Sequence, residues 1–159
     1  MKDGTTTCEC STRILVDADA CPVKEIILRM AKRRNIPVTM VIDTSHELDD
    51  GYSTVITVDK GSNSADYVIT NMTTCHDVVV TQDYGLAAMI LSRGASVIDQ
   101  NGMVYTGDNI DNLLERRYIG QKIRHGGGRT KGPKKRSRED DERFEDAFGK
   151  MLDCRREDL

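Results

Sequence analysis

A short apolar run that ends in two acids is the feature that most constrains how this chain folds. Residues 14–16 are Ile, Leu and Val, which favour a buried strand, and Asp17, Asp19 and Pro22 follow. Side chains alternate across a strand, so Asp17 and Asp19 point to the same side if the extended geometry persists. Proline suits the first turn of a helix. In open parallel α/β sheets, ligands bind beyond the carboxyl ends of strands, so the two acids form a candidate site.

The rest of the chain repeats this alternation of strand and helix. Further strands are predicted at residues 38–42, 55–58, 77–81 and 96–99, with helical apolar spacing between most of them. This pattern predicts an α/β, Rossmann-like fold with a mostly parallel five-stranded sheet and helices on both faces. Asn101-Gly102 is a hairpin signal that turns the chain back into residues 103–105.

Composition along the chain predicts four parts. They are a disordered N-terminal extension (1–12), an α/β domain (13–124), a basic glycine-rich connector (125–137) and an amphipathic C-terminal helix (138–154). Ser137 and Asp140 fit a capping box at the start of that helix. Both phenylalanines of the chain, Phe144 and Phe148, lie on its apolar stripe. The stripe predicts that the helix docks on the domain or on a second subunit of a homo-oligomer.

Charge is divided unevenly. Residues 1–115 hold 17 acids and 9 Lys or Arg, whereas residues 116–138 hold ten cations and no acid. This asymmetry favours an anionic partner, and nucleic acid is the partner expected. The candidate phosphate contacts are Arg129, Lys131, Lys134, Lys135 and Arg136. The alternative is a solvated loop that the acids of residues 139–146 neutralise.

Several function classes are disfavoured by composition. No apolar run reaches the length of a membrane span, and the polar first 12 residues lack the apolar core of a leader, so a cytoplasmic location without membrane contact is expected. The five cysteines show no CxxC spacing, which argues against a disulfide framework and a zinc site. No GxGxxG opens a helix, which argues against a dinucleotide cofactor.

The acids that follow successive strands make up a candidate metal centre. Asp17, Asp19, Asp59 and Asp83 are expected at one edge of the sheet, and Asp66 can join them from the first turn of its helix. Carboxylates brought together raise one another's pKa, and a hard cation such as Mg²⁺ or Mn²⁺ relieves that conflict. Such a cation equips a site for phosphodiester hydrolysis. Alternatively, Asp66 interacts with a helix dipole and Asp83 caps a helix.

Six short motifs resemble the YaiI/YqxD family of uncharacterised bacterial proteins, and the resemblance runs from about residue 14 to residue 152. The motifs are Asp17-Ala18-Asp19-Ala20-Cys21-Pro22-Val23-Lys24, Ser64-Ala65-Asp66, Thr81-Gln82-Asp83-Tyr84-Gly85-Leu86-Ala87, Tyr105-Thr106, Asp108-Asn109-Ile110 and Gly132-Pro133. That family is grouped with PIN-like domains, whose characterised members are metal-dependent nucleases on a Rossmann-like sheet.

The resemblance implies metal ligands at Asp17, Asp66 and Asp83, with Asp19 as an added ligand or base. It also implies a nucleic-acid substrate, RNA more than DNA. Many PIN nucleases carry another acid a few residues beyond the Asp of the fourth strand, here Asp83, but residues 84–95 contain none. Asp19 or Asp99 is the candidate replacement.

Two other functions start from the same residues. An Asp-x-Asp after a first strand also begins haloacid-dehalogenase-like phosphatases, with Asp17 as nucleophile and Asp19 as acid, and the Asp108 to Asp111 stretch faintly resembles their late acidic motif. The non-enzymatic alternative is a nucleic-acid-binding protein that uses its basic segment and in which the acids are vestigial.

Overall fold

The structure, a computed structural model, describes residues 11–19, 21–43, 48–60, 64–125 and 135–157. In these residues, six strands form one sheet, and five helices accompany them. The strands are β1 (Ile14–Asp17), β2 (Val38–Asp43), β3 (Thr54–Val58), β4 (Val78–Val80), β5 (Ser96–Ile98) and β6 (Val104–Tyr105). The helices are α1 (Lys24–Arg34), α2 (Ser64–Met72), α3 (Tyr84–Ser92), α4 (Gly107–His125) and α5 (Arg138–Glu157).

The sheet has the order β3-β2-β1-β4-β5-β6, with the first strand of the chain near its centre. β1 pairs in parallel with both β2 and β4, and the parallel pairing continues outward to β3 and β5. The α/β fold and its mostly parallel sheet are therefore confirmed. The order reverses direction around β1, and in sheets of this kind ligands bind at the carboxyl ends of the strands beside the reversal, here β1 and β4.

The sheet has one more strand than the five predicted. β6 pairs antiparallel with β5, Tyr105 lying opposite Val97. The hairpin predicted at Asn101-Gly102 connects them, and Gly102 has a φ of +85°, the left-handed region that glycine tolerates. Two residues are too few to show an alternating pattern in sequence, which is why the turn was predictable and its second strand was not.

Strand side chains alternate between two separate apolar layers. Ile14 and Val16 of β1 pack with α1 and α5 on one face, while Leu15 packs with α2, α3 and α4 on the other. The same alternation continues in the neighbouring strands, where Val79 of β4 joins Leu15 and Val80 joins Val16. Helices thus cover both faces of the sheet, as predicted.

The C-terminal helix packs on the body of the protein. Phe144, Phe148 and Leu152 of α5 are fully buried, and the two phenylalanine rings stack with centroids 5.0 Å apart. The predicted capping box is present: the Asp140 amide donates to Ser137 Oγ at 3.3 Å, and the Ser137 amide donates to Asp140 Oδ2 at 2.9 Å. The docking helix is confirmed, and it runs three residues beyond the predicted end at 154, to Glu157.

The predicted boundaries of the other parts depend on residues that the structure leaves undescribed. Residues 1–10 of the predicted extension and residues 126–134 of the connector lie outside the described ranges, so both boundaries stay predictions. Across the described residues, every helix falls short of the length and apolar character that a membrane span requires.

Candidate functional site

Asp17 is the last residue of β1, and its side chain lies on the same face as Leu15, toward α2, α3 and α4. Thr81, which directly follows the neighbouring strand β4, donates a hydrogen bond from Oγ1 to Asp17 Oδ2 at 3.1 Å. The Asp83 amide donates in turn to the same hydroxyl at 3.1 Å, and the Tyr105 hydroxyl donates to the Thr81 carbonyl. The buried Thr81 therefore fixes the orientation of Asp17.

The pKa of Asp17 is strongly perturbed. Burial raises its pKa from 3.8 to about 6, and the hydrogen bond from Thr81 opposes the rise. Repulsion from Asp66, Asp19 and Asp83 raises the pKa further. All four predicted catalytic acids thus lie in one electrostatic neighbourhood, and a proton or a cation is needed to offset their charge.

Asp83 caps the helix that follows it. Its backbone is extended, and its Oδ1 accepts hydrogen bonds from the amides of Gly85 at 2.9 Å and Leu86 at 3.2 Å. The cap that sequence offered as an alternative is therefore real. Asp83 nevertheless faces the other acids, since its charge contributes to the raised pKa of Asp17.

Asp19 does not follow the alternation of the strand. β1 ends at Asp17, and Asp19 lies in the turn that follows, so the extended geometry assumed for the pair does not persist. Its carboxylate accepts a hydrogen bond from the Asp43 amide at the end of β2, with Oδ2 3.1 Å from the nitrogen. This contact directs Asp19 sideways across the sheet edge, toward β2.

Asp19, Asp66 and Asp83 border a small open cleft of about 210 Å³, which we call the acid cleft, whereas Asp17 is not among its lining residues. Its lining consists of five carboxylates and three other side chains: Asp19, Asp43, Asp59, Asp66, Asp83, Val58, Ser64 and Ala65. Among these lining residues, none is Lys or Arg. Asp59 joins the edge as predicted. Asp43 directly follows the strand predicted at residues 38–42 and lines the acid cleft, but the predicted site does not include it.

Asp99 has a structural role in the turn between β5 and β6. Its Oδ1 accepts hydrogen bonds from the amides of Asn101 and Met103, each at 2.8 Å, and so holds the hairpin between β5 and β6. Burial raises its pKa above the usual range, and these amide hydrogen bonds oppose the rise. Asp19 is therefore the better candidate to replace the acid missing after β4.

The acid cleft suits a cation that keeps most of its water. In the part of the chain that the structure describes, no group of three or more His, Cys, Asp or Glu side chains is arranged to hold a metal ion. The side chains of the acid cleft that could bind a cation nevertheless all present oxygen, five carboxylates and the Ser64 hydroxyl, and hard cations prefer oxygen ligands. Mg²⁺ commonly binds through only one or two carboxylates, with waters and substrate phosphates completing its shell. The donor set therefore fits a hydrated Mg²⁺ or Mn²⁺ rather than a closed structural metal site.

The predicted phosphate contacts are only partly visible. Arg129, Lys131 and Lys134 lie outside the described residues, while Lys135 is exposed. Arg136 pairs with Asp141 at 2.6 Å and donates to the Gln100 carbonyl at 2.8 Å. Arg136 thus ties the start of α5 to the β5–β6 turn, which lies at the same end of the sheet as the acids. Arg136, at the end of the basic segment, is therefore fixed at the carboxyl end of the sheet.

The phosphatase alternative lacks its second motif at this site. Asp108 follows β6, which runs antiparallel to β5, so the chain leaves β6 at the end of the sheet opposite Asp17. There the Thr106 amide donates to Asn109 Oδ1 at 2.9 Å, which caps α4. Asp108 and Asp111 are exposed in the first turns of that helix and do not line the acid cleft.

Comparison with known proteins adds a family to this geometry. A family model described as "Uncharacterized BCR, YaiI/YqxD family" matches residues 15–154, nearly the whole chain. The chain belongs to this family. Similar YaiI/YqxD relatives include a "UPF0178 protein" of Ruminiclostridium cellulolyticum, 62% identical over 86% of this chain and 89% of the relative. A "UPF0178 protein" of Exiguobacterium sibiricum is 48% identical over 88% of this chain and 96% of the relative.

The names of these relatives state no activity, so membership of the family does not by itself assign one. No solved structure matches the chain. The predicted membership of the YaiI/YqxD family is confirmed, while the link from that family to PIN-like domains stays a prediction.

Proposed function

We propose that this YaiI/YqxD-family protein is a divalent-metal-dependent, nuclease-like hydrolase that cleaves phosphodiester bonds in nucleic acid, RNA more than DNA. One observation carries the proposal. Segments that follow β1, β2, β3 and β4 each bring an acid to the carboxyl edge of the sheet, and α2 adds Asp66. Folding brings these charges together against their mutual repulsion, which is expected of a site that binds a cation and not of a purely structural edge.

Each acid has a distinct role in this proposal. Asp17, Asp66 and Asp83 are the candidate ligands, and a hydrated Mg²⁺ or Mn²⁺ would bind through one or two of them, with Asp19 as an added ligand or base. The bound cation would lower the pKa of a water molecule and neutralise phosphate charge. Thr81 holds the Asp17 carboxylate in one orientation, and the amides of Gly85 and Leu86 hold Asp83.

The sequence supplies an electrostatic path for the substrate. An acid cleft repels a polyanion, so binding needs cations nearby as well as the metal. Lys135 is exposed next to the anchored Arg136, and seven further Lys or Arg residues occur between residues 116 and 134. Phosphate contacts from this segment are expected to give binding a strong dependence on salt.

The test combines metal binding with cleavage. Mn²⁺ is titrated calorimetrically into the wild type, Asp17→Asn and Asp83→Asn, and the same proteins are incubated with single-stranded RNA and DNA. We expect both substitutions to weaken Mn²⁺ binding and to abolish cleavage. Asp83→Ala separates capping from binding, because Asn still caps a helix whereas Ala loses about 0.5–2 kcal/mol of stability. Asp108→Asn, an exposed acid outside the acid cleft, is the matched control.

Two results would refute the nuclease proposal. One is that no Mn²⁺ binds even at millimolar concentration. The other is that cleavage survives in both Asp17→Asn and Asp83→Asn, which would trace it to a contaminant or another site.

A nucleic-acid-binding protein without catalysis is the second candidate. The absence of a three-ligand group among the described residues favours it, together with the cationic run before α5. This candidate predicts salt-dependent binding that is the same in the wild type and Asp17→Asn, with no cleavage in either.

A further inference from the structure

A second cavity adjoins the acid cleft on the outer surface of α2 and α3. It has a volume of about 380 Å³ and is lined by Asp66, Tyr67, Thr70, Asn71 and Met89. Asp66 lines both this cavity and the acid cleft. A ligand bound in the second cavity would therefore be separated from the acid cleft only by the side chain of Asp66.

The cavity offers apolar surface that the fold leaves open. Tyr67 is 73% exposed and Met89 is 43% exposed, although both are large apolar side chains. Tyr67 lies one helical turn before Thr70 and Asn71, so these three side chains share one face of α2, and Met89 faces them from α3. An exposed aromatic ring is a platform for a flat ligand, and a thioether makes favourable contacts with aromatic rings.

Polar groups accompany this surface. The Thr70 hydroxyl is buried and has no hydrogen-bond partner among the described residues. Such an atom is rare in a folded protein and needs an explanation. Asn71 adds an amide with two donors and an acceptor, and Asp66 adds acceptors. The combination of an aromatic face with a few polar groups is how proteins recognise the edge of an unstacked nucleobase.

We propose that the cavity formed by Asp66, Tyr67, Thr70, Asn71 and Met89 binds an unstacked nucleobase of a single-stranded nucleic acid, with the base stacked on Tyr67. The inference rests on the proposed function, because the adjoining backbone phosphate would then lie at the acid cleft. A base inside a duplex is stacked on both sides and cannot reach the ring. The cavity therefore selects single strands, and it tolerates different bases because every base has a face for stacking.

The chain contains no tryptophan, which gives the test a clean reporter. Tyr67→Trp introduces a single indole at the proposed platform, and a base stacked on it quenches its fluorescence. The probes are a single-stranded oligouridylate, an abasic oligonucleotide of the same length and charge, and a duplex. We expect quenching by the oligouridylate and little or none by the other two probes. Val104→Trp on β6, where Val104 is 40% exposed and lies outside both cavities and outside the basic segment, is the matched control.

Affinity provides a second readout that does not depend on the reporter. Tyr67→Ala should weaken oligouridylate binding by about fivefold to a hundredfold, while Tyr67→Phe should bind like the wild type. The abasic oligonucleotide should bind the wild type and Tyr67→Ala equally. The inference is wrong if Tyr67→Ala binds oligouridylate as tightly as the wild type, or if quenching occurs only in Val104→Trp.

Gel analysis of the probes after each titration separates this inference from the proposed function. Base-dependent quenching with an intact probe supports the base site and counts against the nuclease. Cleavage without any base dependence supports the nuclease and overturns the base site. Sedimentation of the wild type and Tyr67→Ala tests whether a second copy of the chain occupies this surface instead. A dimer that dissociates on substitution, with unchanged oligonucleotide affinity, would make the surface a subunit interface and overturn the inference.

Discussion

Replacing Asp17 with asparagine should stabilise the protein at neutral pH, although it removes a hydrogen-bonded side chain from the site. The rise in the pKa of Asp17 from 3.8 to about 6 means that the folded state holds a proton more tightly than the unfolded chain. Below pH 3.8 both states are protonated and the group costs nothing. Between pH 3.8 and about 6 the unfolded chain ionises this group while the folded protein keeps its proton, so stability falls by about 3 kcal/mol and levels off above a pH of about 6.

Asparagine has a similar shape, keeps an acceptor for the Thr81 hydroxyl and never ionises. The difference in unfolding free energy between Asp17→Asn and the wild type should therefore grow by about 2 to 3 kcal/mol between pH 4 and pH 7.5. Urea unfolding at several pH values, with a chelator present, measures it. Because both proteins share every other titrating group, the difference reports the ionisation of Asp17 and its repulsion with Asp66, Asp19 and Asp83.

Two further measurements sharpen this prediction. Thr81→Val removes the hydrogen bond that lowers the pKa of Asp17. In the Thr81→Val variant, the fall in unfolding free energy with rising pH should therefore extend to higher pH. Added Mn²⁺ at pH 7.5 should stabilise the wild type more than Asp17→Asn if the ion binds this carboxylate. A difference between the two proteins that is constant across pH would refute the reasoning, since it would mean that Asp17 titrates normally in the folded state.

Three other predictions concern the frame around the site. Phe148→Ala should lose about 3–5 kcal/mol of unfolding free energy, because it empties a fully buried position; a smaller loss in urea unfolding would mean that α5 packs loosely. Gly102→Ala should lower the melting temperature, since its new methyl group would lie 2.6 Å from the Arg143 carbonyl oxygen at a φ of +85°; an unchanged melting temperature would contradict that geometry. Arg136→Ala should lower the melting temperature, because Arg136 pairs with Asp141 and donates to the Gln100 carbonyl. Lys135→Ala should leave the melting temperature unchanged and should reduce the slope of nucleic-acid affinity against salt concentration by about 0.7–0.9. Equal effects of the two substitutions would contradict the separate roles of Arg136 as an anchor and Lys135 as a phosphate contact.

The fold was largely readable in the sequence because its signals are local. The run from Ile14 to Asp17 predicted a buried strand, and Asn101-Gly102 predicted the hairpin. The two phenylalanines on one stripe predicted that α5 docks. β6 was missed as a strand because its pairing with β5 depends on a neighbour and not on its own two residues.

The site was less readable because its details depend on contacts between distant segments. The acids Asp17, Asp66 and Asp83 could be placed at one edge from topology alone. Asp19 could not be oriented, since its hydrogen bond to the Asp43 amide replaces the alternation of the strand. Thr81 gave no signal beyond its place before Gln82-Asp83, yet it orients Asp17.

The position of α5 also constrains the order in which the protein can fold as it is synthesised. The helix follows every strand in the sequence, yet Phe144, Phe148 and Leu152 share a core with β1 and β4 in the middle of the sheet. When the ribosome has completed the strands of the sheet, α5, which covers one face together with α1, has not yet emerged. The growing chain therefore exposes an apolar sheet face until α5 emerges, a surface that other unfinished chains or a chaperone can bind.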